Sequence, residues 1–117
     1  MELKEFYKLQ NDLDNYIVDK AFGTSNYCIE GHNDITFLTD RILALMVEVG
    51  EFANATRCFK YWSMKDSESK ERLLDEYADI LHLFLSVGNT VKFTPEEVEK
   101  AYLKKYEINI KRQKEGY

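Results

Sequence analysis

The sequence predicts an all-α protein, a four-helix-bundle-like fold in a single domain covering residues 1–117. Apolar residues recur at helical spacing through three separate stretches, and a capping sequence at Thr94-Pro95-Glu96-Glu97 starts a fourth helix. One proline and five glycines leave few places where long helices must break. Two pairs of carboxylates, Glu48 with Glu51 and Glu76 with Asp79, are spaced three residues apart within apolar helical stretches. At that spacing both members of a pair rise on one helix face, a turn apart.

The first helix is expected over Leu3 to Ala21, where Leu3, Phe6, Leu9, Leu13, Tyr16 and Ile17 form an apolar stripe. Gln10 and Asp14 share one face of it, and periodicity alone favours a solvated surface for both. From Phe22 to about Thr36 the pattern dissolves into Gly, Ser, Asn and Asp, which predicts a long connection. His32 lies there with no Cys or His at ligand spacing and reads as a loop residue.

The second helix is expected to start between Thr36 and Asp40, both competent caps, and to run to about Cys58. Between Ile42 and Ala55 the only residues outside the apolar set are Glu48, Gly50, Glu51 and Asn54. Such a helix is buried on most sides, centrally in the chain or against a second subunit. The run Phe59-Lys60-Tyr61-Trp62-Ser63 closes it. These aromatics are either a plug over the bundle end or a platform on which a base stacks while Lys60 meets phosphate.

A third helix is expected from Ser69 to about Lys92, carrying Glu76 and Asp79 beside Leu73, Ile80, Leu83 and Val87. His82 imitates the Glu-x-x-His spacing of di-iron bundles, but its angular position favours a supporting or packing role. Thr94-Pro95-Glu96-Glu97 starts the fourth helix, with Thr94 as N-cap, Pro95 at the first helical position and Glu97 completing a capping box. Further along, Tyr102, Lys105, Asn109 and Arg112 fall within an arc of about 80° at 100° per residue. Each alone reads as solvated, while together they make a set of phosphate and sugar contacts.

Bulk properties narrow the function. A 44% hydrophobic and 32% charged composition is that of a soluble globular domain. Charge interrupts every apolar run, so no membrane span is expected. The opening Met-Glu-Leu-Lys-Glu lacks the features of a secretion signal, which predicts a cytoplasmic protein with Cys28 and Cys58 as reduced thiols. A net charge of −5 argues against a nucleic-acid binder but not against small phosphorylated ligands. Four clustered carboxylates facing inward need a neutralising cation. Hard oxygen donors suit Mg²⁺, or Mn²⁺, far better than Zn²⁺. From the residues, a metal-dependent hydrolase of phosphorylated substrates leads. A di-metal redox bundle is poorly served by two histidines, and a non-catalytic helical interaction module leaves the inward carboxylates unexplained.

Glu48-x-x-Glu51 followed by Glu76-x-x-Asp79 resembles the metal-binding signature of the all-α, MazG-like nucleoside triphosphate pyrophosphatases. The wording of Ala44–Asn54, Phe59–Ser63 and Glu76–His82 is similar to the dimeric dUTPase branch. So are Leu9-Gln10 with Leu13-Asp14, and the ending Tyr102-x-x-Lys105-x-x-x-Asn109-x-x-Arg112-Gln113-x-x-Gly116-Tyr117. The chain is shorter than typical members, which continue past this ending with further helices. The resemblance implies a homodimeric, Mg²⁺-dependent hydrolase that converts dUTP, and also dUDP, to dUMP, with attack at the β-phosphorus of dUTP. It implies that Glu48, Glu51, Glu76 and Asp79 hold metal. Glu51 and Glu48 are the catalytic candidates, and Glu51 is taken as the carboxylate at the edge of the metal site that accepts the proton. Gln10, Asp14 and Trp62 would contact uracil, and Lys60, Lys105, Asn109, Arg112 and Tyr117 the phosphates and sugar. The rival within the superfamily is a MazG-like enzyme for another nucleotide, such as dCTP or a non-canonical triphosphate.

Overall fold

The computed structural model describes residues 1–22 and 34–116. Among them are four α-helices and no strand: α1 (Leu3–Phe22), α2 (Asp34–Thr56), α3 (Lys70–Thr90) and α4 (Pro95–Lys114). The expected loop from Phe22 to Thr36, with His32 and Cys28, falls largely outside the described residues, as does Tyr117. No helix among the described residues is long and apolar enough to cross a membrane.

The helix boundaries follow local chemistry. Ser69 caps α3 by accepting from the Arg72 amide. At α4 the Thr94 hydroxyl accepts from the Glu97 amide at 3.1 Å, and the Thr94 amide donates to the Glu97 carboxylate at 2.9 Å. This reciprocal box satisfies two amide donors that the helix start would otherwise leave open. Hydrogen bonding from the Thr94 backbone amide, and then from the Thr94 side chain, holds the Glu97 carboxyl below its ordinary value by favouring the ionised form. The second helix starts at Asp34, earlier than the expected Thr36–Asp40 window.

The principal pairing is α2 along α3, with α1 on the other side of α3 and α4 against α1. After α2 the chain reverses at Arg57, a non-glycine residue with φ 61°. Its guanidinium donates to the Ser63 hydroxyl at 2.8 Å, and the Glu68 amide returns to the Ala55 carbonyl at 3.0 Å. These bonds bring α3 back alongside α2 and so bring one acidic pair beside the other.

Among the described residues the buried apolar ones are Tyr7, Val18, Ala55 and Leu85. The radius of gyration is 17.8 Å, against about 13 Å for a compact chain of this length. The expectation that α2 is buried on most sides does not hold within one chain. Leu43, Met46 and Val47 are exposed on it, because α1 and α4 leave that face uncovered.

Candidate metal centre and nucleotide pocket

Glu48 on α2 and Glu76 and Asp79 on α3 converge, each offering a carboxylate oxygen within 4.8 Å of the others. Glu48 and Glu76 are half-buried, whereas Glu51 and Asp79 are exposed. Four carboxylates looking fully inward is therefore corrected: two stand in the cleft and two at its rim. The reason is geometric, since α2 and α3 pair along one seam and residues a turn apart enter it to different depths.

One oxygen of Glu48 and one of Glu76 are buried with no hydrogen-bond partner. Desolvation pushes the Glu48 carboxyl above its ordinary value, and the charges of Glu51, Asp79 and Glu76 with a hydrogen bond to Glu51 push the same way. Buried, unpartnered, mutually repelling carboxylate oxygens are unfavourable alone and become ligands when a hard cation enters. The donor set fits Mg²⁺ or Mn²⁺. Arg72, one helical turn before Glu76, supplies a positive charge at 3.1 Å from it. Glu51 is not in the group of Glu48, Glu76 and Asp79; it lines a neighbouring concavity with Asn54, Glu68, Arg72 and Glu76.

A second concavity of about 430 Å³ adjoins on the α1 side of α3. Gln10, Asp14, Arg41, Asp79, His82 and Ser86 contribute polar groups to it, and Leu13, Ile17 and Phe37 apolar walls. Asp79 thus belongs both to the carboxylate cluster and to this pocket. Gln10 and Asp14 are 5% and 9% exposed, so the solvated reading of both is overturned. Their burial is sustained by partners across the helix interface. The Gln10 amide donates to Asp14 at 3.0 Å, the Ser86 hydroxyl donates to Asp14 at 2.7 Å, and His82 Nδ1 lies 2.6 Å from Gln10 Oε1. Arg41 donates to the Thr90 hydroxyl, which itself donates to the Ser86 carbonyl at 2.7 Å. His82 is not in the carboxylate group, which agrees with its supporting role.

Trp62 and Lys60 lie in the turn after α2. Trp62 is 64% exposed, edge-on to Phe59 and Tyr61 at 6.0 and 5.3 Å, and Lys60 stands 5.8 Å over the Phe59 ring. All three rings are exposed by half or more. Tyr102, Lys105, Asn109 and Arg112 lie on α4, which has no buried residue and whose first two turns alone share a concavity with α2 and α3. One chain does not bring them to the carboxylates. Sequence reasoning missed Arg41, Arg72 and Ser86. Arg72 was detectable at four residues before Glu76, and Ser86 at two turns after Asp79, whereas Arg41 carried no local signal.

Comparison with known families gives one result. A family model described as dUTPase matches residues 2–94 and 83–117, two overlapping segments that together span the chain from its second residue to its last. No curated protein and no solved structure matches the chain. Matched over nearly its whole length, the chain belongs to the dimeric, all-α dUTPase family.

Proposed function

We propose that the protein hydrolyses dUTP to dUMP and pyrophosphate with Mg²⁺, and dUDP to dUMP and phosphate, as a cytoplasmic homodimer. The observation that carries this reading is the carboxylate cluster of Glu48, Glu76 and Asp79, with its two orphaned buried oxygens, beside the pocket lined by Gln10 and Asp14. Glu48, Glu76 and Asp79, with Glu51 at the rim, would hold the metal. When bound, Mg²⁺ supplies positive charge to the triphosphate and lowers the pKa of water.

The remaining roles belong to the chain itself. Glu51 is exposed in the concavity that it shares with Glu76, where it can take the proton of the attacking water. Gln10 and Asp14 face the pocket from α1 and present hydrogen-bonding groups to uracil, and Trp62 offers a stacking surface. Lys60, Lys105, Asn109, Arg112 and Tyr117 are assigned to the phosphates and sugar. For the α4 residues this requires a second copy, because α4 stands away from the cluster in its own chain. The exposed apolar face of α2 is the surface through which that copy would dock.

The test is product identity. Incubation with Mg²⁺ should yield dUMP and pyrophosphate from dUTP in equal amounts, and dUMP with phosphate from dUDP. Conversion of dUTP to dUDP and phosphate would refute the proposed bond cleavage.

A further inference from the structure

We infer that Arg57 is a positioning residue: its guanidinium, bonded to Ser63, clasps the turn between them and fixes Lys60 and Trp62 relative to each other before a nucleotide arrives. The inference rests on the proposed function, which gives Lys60 to the phosphates and Trp62 to the base.

Arg57 is an unusual occupant of its place. With φ 61° it holds the left-handed conformation that glycine adopts freely and a long side chain rarely does. Its Nε is buried with no hydrogen-bond partner among the described residues. Both features cost stability, and a glycine would make the same reversal with neither. What the arginine adds is one bond, from a guanidinium N–H to the Ser63 hydroxyl at 2.8 Å. The same hydroxyl accepts from the Lys65 amide at 3.2 Å, which holds it in place. A strained residue kept for a single side-chain contact points from the outlier to a role.

Two nested loops show what that role is. The outer one is closed by the Glu68 amide on the Ala55 carbonyl at 3.0 Å, and it returns α3 to α2. The inner one, closed by Arg57 and Ser63, contains Phe59, Lys60, Tyr61 and Trp62. Its three rings are exposed, and Trp62 meets the other two edge-on. Short backbone bonds curl the segment, from the Lys60 amide to the Arg57 carbonyl at 3.0 Å and from the Ser63 amide to the Lys60 carbonyl at 3.2 Å. The clasp joins its two ends. Fixing the loop in advance removes an ordering cost that binding would otherwise bear. A stacking ring and an ammonium on one loop must match the base-to-phosphate span of a single nucleotide, so their spacing governs affinity.

Trp62 is the single tryptophan of the chain, so its fluorescence reports on this loop without turnover. The experiment compares wild type, Arg57→Gly, Ser63→Ala and Ser63→Thr. Its readouts are Trp62 fluorescence anisotropy in the nucleotide-free protein, KM and kcat for dUTP with Mg²⁺, and Kd for Mg²⁺ by calorimetry. Arg57→Gly eases the backbone but removes the guanidinium, and Ser63→Thr keeps the hydroxyl that Ser63→Ala removes. Loss of the bond predicts a KM for dUTP raised about three- to tenfold in Arg57→Gly and Ser63→Ala. Anisotropy should fall in both, while the Kd for Mg²⁺ stays unchanged. Ser63→Thr should behave as wild type. An unchanged KM in Arg57→Gly and Ser63→Ala overturns the inference, with or without a fall in anisotropy. A loss of Mg²⁺ affinity in step with the rise in KM also overturns it, since the clasp would then hold the whole return of α3 to α2. So does a Ser63→Thr as impaired as Ser63→Ala. In each of these cases hydrolysis of dUTP by the wild type leaves the proposed function standing. A wild type that does not hydrolyse dUTP overturns the proposed function, and this inference with it.

Discussion

Replacing Glu48 by Gln removes one charge from a cluster in which its carboxylate oxygen lies within 4.8 Å of oxygens on Glu76 and Asp79. Two unit charges at that separation repel by about 0.9 kcal/mol in bulk water and about 3.5 kcal/mol at an effective dielectric near 20. Glu48 is half-buried but Asp79 is exposed, so the solvated end of the range applies. Two pairs then give about 2 kcal/mol, part of which Arg72 already offsets at Glu76. Glu48→Gln should therefore stabilise the metal-free protein by about 1–2 kcal/mol, a rise in Tm of about 4–8 °C. The assay is thermal unfolding in EDTA at pH 7.5, followed by titration with Mg²⁺. Wild type should gain about 1.4 kcal/mol at Mg²⁺ tenfold above its Kd, and the variant distinctly less. A variant that melts at or below wild type in EDTA would refute the electrostatic reasoning. The pH dependence has a fixed sign. The Glu48 carboxyl titrates above its ordinary 4.5 in the fold, so above that pH the unfolded chain loses this proton first. Its contribution to metal-free stability is therefore fully present below pH 4.5 and is lost as pH rises through the folded value.

The other predictions address separate parts of the structure. A Cβ on Gly88 would meet the buried Tyr7 ring at 2.9 Å. Overpacking of about 1–3 kcal/mol, less up to about 1 kcal/mol of improved helix propensity, leaves Gly88→Ala about 1 kcal/mol less stable in urea unfolding. An unchanged midpoint would contradict that contact. Glu51→Gln should lower kcat by about 10²- to 10⁴-fold with the fold intact by circular dichroism; retention of most activity would remove Glu51 from the catalytic step. Trp62→Ala should weaken binding of a non-hydrolysable dUTP analogue more than binding of Mg²⁺, as calorimetry would read. Equal loss of both would argue against a stacking platform.

Local chemistry carried most of the fold. The Thr94-Pro95-Glu96-Glu97 start of α4 is legible to the residue because a capping box is written within four consecutive positions. The paired carboxylates were legible because charge inside an apolar helical stripe needs a reason. Gln10 and Asp14 were misread as solvated, since periodicity assigns polar residues to the outside. Their partners His82 and Ser86 lie 72 positions away, and no local pattern links them. The unequal exposure of Glu48 and Glu51 also escaped notice, because spacing fixes a helix face but not the depth of its seam. The α4 stripe shows a different limit. Its shared arc is real, yet α4 lies against α1 and away from the cleft, a placement set by the short turn through Val91 and Lys92 and not by the stripe.

The central claim, that the carboxylate cluster serves metal-dependent hydrolysis of dUTP, is tested most directly by pyrophosphate release. The substrates are dUTP, dCTP, dTTP and UTP, each with Mg²⁺ and with EDTA. The account predicts rapid release from dUTP, little from the other three, and none from any in EDTA. Release spread evenly over the four nucleotides would keep the metal centre and contradict the base assignment. Release that persists in EDTA, or no release at all, would contradict the claim itself.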